Sequence, residues 1–315
     1  MLEPLVAIII LNYATYKMTL DCVELTKKQN YSNFFIIVVD NNSPNESSEI
    51  LDLKYNSNKA KEKQDVYITF IKSDFNGGYS YGNNIGIREA ERRGADYILI
   101  LNNDVEISDQ SFLEKSVAFM ESNRKVGLMG PRVIDKGFYT NPLKIERPVW
   151  SQNAISNIFS LAKVIISKIV SKKEFLIINE TRKVYTVSGC CMLFHTKYFK
   201  EIGYFDEGLF LFGEELVIGE KFHQKNIEVV FYSDLEVNHN HSKTISTFYT
   251  DSKITRIMDK SILYYFKNYR KDINQFQYGL LYLSFQIKNY INMPVIQLLV
   301  WIKKLLKSRI KKNKQ

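Results

Sequence analysis

No stretch of this chain is apolar for long enough to cross a bilayer. The longest apolar runs, Leu5 to Leu11 and Val295 to Ile302, fall far short of the ~20 residues a spanning helix needs. Cysteine is scarce: Cys22 stands alone and Cys190 and Cys191 are adjacent. Such a set builds no disulfide framework, no CxxC redox pair and no zinc site, and it fits a reducing compartment. Met1-Leu2-Glu3-Pro4 lacks a basic n-region, so no signal peptide is expected. The glycines form neither GxGxxG nor a Gly-Lys-Ser/Thr loop, which excludes a dinucleotide fold and a P-loop NTPase. The expected location is cytoplasmic, at most peripheral on the inner face of the plasma membrane.

Acid is missing from the C-terminal end. Residues 302–315 read IKKLLKSRIKKNKQ and hold most of the net charge of +9. A Lys/Arg cluster suits phosphates, but without interleaved aromatics or a nucleic-acid fold it implies no nucleic-acid partner. Trp301-Ile302 and Leu305-Leu306 among Lys303, Lys304 and Lys307 read as an amphipathic helix on anionic lipid, or as a solvated charged end. The stretch Ala154–Lys172 also spaces apolar residues helically with Lys opposite. It either packs on the core or lies on a membrane surface.

What is present is an ordinary globular composition, 45% hydrophobic and 24% charged over 315 residues, enough for a large core. Four apolar, β-branched runs mark the first hundred residues: Val6–Leu11, Phe35–Val39, Tyr67–Ile71 and Tyr97–Leu101. Continuous apolar runs of this length fit parallel strands covered on both faces. Helical stretches lie between them, at Thr15–Lys28, Glu46–Lys61 and Tyr81–Arg93. This alternation predicts a doubly wound α/β sheet. Beyond it we expect a helix after residue 110, strand entry at Gly127–Val133 and a strand over Val184–Phe194. A helix at Glu214–Gln224, strands at Glu228–Tyr232 and Val237–His241, and helices after 250 complete the expected series.

Three of these strands end in amide or acid side chains: Asn12-Tyr13, Asp40-Asn41-Asn42-Ser43 and Asn102-Asn103-Asp104. In a parallel sheet their C-terminal ends share one crevice, where such sheets bind ligands. Each cluster alone is also turn or cap chemistry. Oxygen ligands suit hard cations such as Mg²⁺ or Mn²⁺. Asn76-Gly77-Gly78 opens a helix, so it permits either close ligand approach and phosphate binding or a plain turn. Glu214 and Glu215 sit at a helix start, where the macrodipole favours carboxylates. His239 and His241 share one strand face.

Taken in order, these motifs resemble the family 2 inverting glycosyltransferases, in particular the rhamnosyltransferase-like enzymes of bacterial surface polysaccharide synthesis. The series runs from Val38-Val39-Asp40-Asn41-Asn42-Ser43 through Asn76-Gly77-Gly78-Tyr79, Gly82-Asn83-Asn84 and Leu101-Asn102-Asn103-Asp104. It continues with Ser188-Gly189-Cys190-Cys191-Met192, Gly203-Tyr204-Phe205-Asp206-Glu207 and Phe212-Gly213-Glu214-Glu215. Val237-Asn238-His239, with Ser242 and Thr244, closes it.

The resemblance implies a GT-A fold, a Rossmann-like mixed α/β sheet, over residues 1–245, with a helical basic appendage over 246–315. It implies transfer of rhamnose or a similar sugar from a nucleoside diphosphate donor to a glycan or lipid-linked glycan acceptor. Asp104 and His239 would serve the Mg²⁺ or Mn²⁺ on the diphosphate, Asp40 would read the nucleoside, and Glu215 would be the general base. Asn12, Asn42, Asn76, Gly77, Gly78, Asn83, Asn102, Asn103, Gly189 and Glu214 are the further substrate-binding candidates. Two positions depart from the pattern. Val217 stands where an aspartate is common, and Gly219-Glu220-Lys221-Phe222 stands in what is usually an arginine-bearing helix. A nucleotidyltransferase would need Arg and Lys after the first strand, where Asn-Tyr-Ala-Thr-Tyr-Lys stands instead. A non-catalytic carbohydrate-binding protein is the rival of a different class.

Overall fold

The computed structural model describes residues 3–56, 66–135, 137–162, 178–239, 250–299 and 301–302. His241, Ser242, Thr244, most of the Ala154–Lys172 stretch and the basic tail from 303 lie outside the described residues.

The chain forms two compact units, residues 1–147 with 177–261, and residues 148–176 with 262–315. The first unit is built on strands β1 (Val6–Asn12), β2 (Phe34–Asp40), β3 (Ile68–Lys72), β4 (Tyr97–Asn102), β5 (Val105–Glu106), β6 (Val126–Asp135), β7 (Phe138–Tyr139), β8 (Arg182–Lys183), β9 (Cys191–His195) and β10 (Glu228–His239). They make one sheet in the order β3-β2-β1-β4-β9-β6-β10-β5, with β7 on β6 and β8 on β10. β3, β2, β1 and β4 are parallel. β9 runs antiparallel to β4 and β6, and β10 is parallel to β6. The sheet is therefore mixed, and the C-terminal ends of β1, β2, β4, β6 and β10 reach one edge.

Both faces of the sheet are buried, which is why the strand runs are apolar without a break. Val6, Ile8 and Ile10 point into one core with Val23, Leu51 and Phe112, from helices α1 (Tyr16–Thr26), α2 (Ser47–Tyr55) and α4 (Phe112–Ser122). Ala7 and Ile9 point into the other with Ile87, Phe199 and Phe222. That face carries helices α3 (Gly78–Arg92), α6 (Thr196–Glu201) and α7 (Glu214–Gln224). Helix α3 lies unusually close to the strands. A Cβ at Gly82 would stand 2.5 Å from Leu11 Cδ1, and one at Gly86 would stand 2.7 Å from Ile9 Cγ2. Two glycines four residues apart clear one helix face for this approach.

Two expected strands change. Val184–Phe194 reduces to β9, because residues 184–190 lie outside the strands, with an isolated bridge between Thr186 and Lys144. Glu228–Tyr232 and the described part of Val237–His241, residues 237–239, are one strand, β10, and an irregularity between Tyr232 and Glu236 accommodates the polar Ser233-Asp234 step.

The second unit contains helices α5 (Trp150–Ile158) and α9 (Gln275–Ile287), the C-terminal part of α8 (Asp251–Asn268), and a π-turn at Lys288–Asn292. A capping box between Asn274 and Gln277 starts α9. Buried Arg270 ties this unit together, pairing with Asp272 at 2.8 Å and bonding the Pro148 carbonyl. Among the described residues no helix is long and apolar enough to cross a membrane.

Candidate active site

The polar strand ends meet at one sheet edge, as their order predicted. Asn12 and Asp40 are register partners on β1 and β2, and both are fully buried. Asn12 Nδ2 donates to Asp40 Oδ1 at 2.6 Å. Ser43 closes the other side of the carboxylate, its N–H donating to Asp40 Oδ2 at 2.9 Å and its hydroxyl to Oδ1 at 2.5 Å. The network continues through α1: Thr19 Oγ1 donates to Asn12 Oδ1 at 2.7 Å and accepts Asn103 Nδ2 at 2.9 Å. Asn103 also donates to Thr15 Oγ1 at 2.8 Å. Thr15 and Thr19, one helical turn apart, thereby join the ends of β1, β2 and β4. Neither was singled out in the sequence, since a threonine at a helix start or within the helix carries no signal of its own.

Asp104 follows the turn after β4. Asn102 is tied to the sheet by its own N–H, which donates to Cys190 O at 2.9 Å. His239, the last residue of β10, brings Nε2 to 3.3 Å from Asp104 Oδ1. Asp135 ends β6 opposite His239 in register. Both side chains of the Asp104–His239 pair are largely buried. Among the described residues no group of three His, Cys, Asp or Glu could hold a metal alone. A carboxylate with one imidazole still fits Mg²⁺ or Mn²⁺, because these ions commonly take few protein ligands and complete their shell with phosphate oxygens and water.

The Asn76-Gly77-Gly78 segment starts α3 at the same edge. Asn76 Oδ1 accepts the Gly78 N–H at 3.0 Å and Asn41 Nδ2 at 2.9 Å. The close approach that its glycines permit is to protein. A Cβ on Gly77 would meet the Tyr81 ring at 2.3 Å, and one on Gly78, whose φ is +87°, would meet Phe210 O at 2.1 Å. Asn83 is buried within α3, its Nδ2 donating to Tyr79 O at 3.0 Å and its Oδ1 enclosed without a partner. Asn42 is exposed in a left-handed turn with φ +55°. Asn84 stitches the next motif to α3, donating to Phe205 O at 3.0 Å and Glu207 Oε1 at 2.8 Å.

Glu214 and Glu215 open α7 after Gly213, whose φ of +83° suits glycine. Burial raises the Glu214 carboxyl well above its usual range, and the neighbouring Glu215 charge adds to this. Its Oε2 is enclosed without a partner. Burial also raises Glu215, against backbone N–H groups that favour its charged form. Gly189 N–H donates to Glu215 Oε1 at 3.2 Å. Tyr79 Oη donates to the Gly189 carbonyl at 2.7 Å. Tyr79 rises through burial and then through the charges of Glu214, Glu215, Cys190 and Asp104.

The departures at 217–222 have local partners. Val217 is fully buried. Burial alone would raise Glu220, but hydrogen bonds from Arg147, Gln224 and Tyr185 hold it below its usual value. Arg147 Nε donates to Glu220 Oε2 at 2.8 Å and Tyr185 Oη donates to the same oxygen at 2.9 Å. Lys221 Nζ donates to Tyr204 O at 2.8 Å.

Residues 6–203 match the family model described as Glycosyl transferase family 2. The chain is similar to the low-salt glycan biosynthesis hexosyltransferase Agl10 of Haloferax volcanii, 25% identical over 213 residues, 67% of this chain and 64% of that protein. It is also similar to glycosyltransferase GlyG of Streptococcus pneumoniae serotype 4, 31% identical over 113 residues, 36% of this chain and 34% of that protein. Each match spans less than two thirds of the relative's own length.

Among solved structures, the mannosyltransferase PcManGT from Pyrobaculum calidifontis, in complex with GDP-Man and Mn²⁺, has a TM-score of 0.58 at 12% identity, covering 91% of this chain and 70% of that one. TarS 1-349 from S. aureus, in complex with UDP-GlcNAc, has a TM-score of 0.55 at 16% identity, covering 91% and 72%. The fold is accordingly the GT-A type, a Rossmann-like mixed α/β sheet.

Proposed function

The chain belongs to glycosyl transferase family 2, and on that premise we propose that it transfers a sugar from a nucleoside diphosphate to a glycan acceptor with inversion. The observation that carries this reading is a bonded path along one sheet edge: Glu215 Oε1 accepts the Gly189 N–H, the next residue's carbonyl at Cys190 accepts the Asn102 N–H, and Asp104 follows Asn102 by two residues. A carboxylate for the acceptor and a carboxylate for the donor diphosphate are then neighbours at one sheet edge.

Asp40, held by Asn12 and Ser43 with its charge directed by three hydrogen bonds, accepts from the donor nucleoside. Asp104 and His239 would hold Mg²⁺ or Mn²⁺. When bound, this ion neutralises negative charge developing on the leaving group. Glu215 in its ionised form takes the proton of the attacking acceptor hydroxyl. A single base opposite the leaving group gives inversion in one step, whereas retention by a covalent route needs a second carboxyl.

The motif series supports rhamnose or a similar sugar, and the similarity to Agl10, a glycan biosynthesis hexosyltransferase, supports a surface-polysaccharide acceptor. The C-terminal region favours a lipid-linked one. Phe276 and Tyr290 are each 73% exposed, and Trp301 is 58% exposed. Residues 275–302 contain Lys288 and no acid, and the basic tail follows them directly. An exposed apolar surface beside clustered Lys and Arg suits an anionic membrane. These features support peripheral association of a cytoplasmic enzyme with the inner face of the plasma membrane.

A thermal-shift panel of UDP-, dTDP- and GDP-sugars with and without Mn²⁺ tests the proposal. A ligand that binds the native state raises its stability, so one donor series should raise the Tm in a Mn²⁺-dependent way and then support transfer. No shift and no transfer with any sugar nucleotide would favour a non-catalytic carbohydrate-binding protein.

A further inference from the structure

The Ser188–Gly189 segment is clamped from two sides where it meets Glu215. Tyr79 Oη donates to the Gly189 carbonyl at 2.7 Å. Asn141 Oδ1 accepts the Ser188 N–H at 2.9 Å, and Asn141 itself is fixed by donating to Pro131 O on β6. Between these two anchors the Gly189 N–H is aimed at Glu215 Oε1, 3.2 Å away. Space is tight as well, since a Cβ at Gly189 would stand 2.8 Å from that oxygen.

We infer that Tyr79 and Asn141 are positioning residues for Glu215, acting through the Ser188–Gly189 peptide. This rests on the reading of Glu215 as the base. Burial drives that carboxyl toward its neutral form, and N–H donors oppose it. Two of the three opposing amides, those of Gly213 and Glu215, come with the start of α7. The third belongs to Gly189, on a separate segment, and its aim depends on Tyr79 and Asn141. Loss of either anchor lets the peptide turn away, so that Glu215 holds its proton to higher pH and is ionised, and able to act as the base, over a narrower range.

The groups facing Glu215 are Glu214 on its own helix, Tyr79 from α3 and Cys190 beside Gly189. The Asp104 charge also raises Tyr79 and Cys190. Burial pushes the Cys190 thiol up to about 12, and Tyr79 is held protonated by burial and the nearby carboxylates. Tyr79 therefore remains a donor across the working range. An acid limb in the rate profile belongs to the Glu214–Glu215 pair.

The test is the pH profile of kcat/KM for sugar transfer by the full chain carrying Tyr79→Phe. Its acid limb should move upward by about one pH unit, as expected when a hydrogen bond to a charged carboxylate is lost. The plateau at higher pH should stay within about threefold of the parent, on the same reasoning. Asn141→Ser loosens the clamp from the other side and should move the limb in the same direction. It supplies the result if Tyr79→Phe does not fold. An unmoved limb with a uniform loss at every pH would overturn the inference and leave Tyr79 a packing residue. The base itself is tested separately: Glu215→Gln retaining parental transfer and its acid limb would overturn that reading instead.

Discussion

His239 Nε2 stands 3.3 Å from Asp104 Oδ1, joining the end of β10 to the turn after β4 across the central strands. The contact supplies one oxygen and one nitrogen donor at the edge where the diphosphate is proposed to lie. Asp104→Asn should abolish the Mn²⁺-dependent part of the thermal shift with the cognate donor. It should lower kcat/KM at least about 100-fold, since a charge-neutralising cation contributes several kcal/mol. A donor titration with and without Mn²⁺ checks this, and an undiminished metal response would exclude Asp104 as a ligand.

Thr19 links the nucleoside and metal ends of the site through bonds to Asn12 and Asn103. Thr19→Val keeps the shape and removes both bonds, leaving buried Asn12 Oδ1 without its donor. Binding of the free nucleoside diphosphate, measured calorimetrically, should weaken about 5- to 10-fold, the equivalent of one net hydrogen bond. Unchanged affinity would show that Asp40 needs no support from α1.

Arg147 and Glu220 form a two-point ion pair in which the Glu220 side chain is fully enclosed. Arg147→Ala strands that carboxylate and should destabilise the protein by about 3 kcal/mol. Replacing both residues with apolar ones should recover much of the loss. Urea unfolding of the single and double variants makes the comparison.

Glu214 carries a folded-state pKa above its unfolded value, owing first to burial and then to the Glu215 charge. The folded form therefore holds more protons, and stability falls as pH rises through the interval above the ordinary carboxylate value of about 4.3. Glu214→Gln should flatten this dependence and raise stability more at pH 8 than at pH 4. Melting curves across that range test the sign directly.

The central sheet was legible because buried parallel strands such as Phe34–Asp40 leave no polar position to hide them. The polar ends of β1, β2 and β4 were legible for the complementary reason, that an abrupt change from apolar to amide and acid marks the crevice edge. β10 was misread as two strands because Ser233-Asp234 resembles a turn, whereas an irregularity in pairing absorbs it. Val184–Cys190 was misread as strand because it is apolar and buried without joining the ladder. Thr19, Asn141 and Arg147 carried no signal. Each acts through partners distant in sequence, and a threonine, an asparagine beside a proline or a lone arginine looks the same with or without them.

The direct test of the account is sugar transfer by Glu215→Gln under saturating donor and Mn²⁺. The account predicts a fall in kcat of at least about 100-fold, the scale of general-base catalysis, with the donor-induced thermal shift retained. Transfer at the parental rate would contradict it.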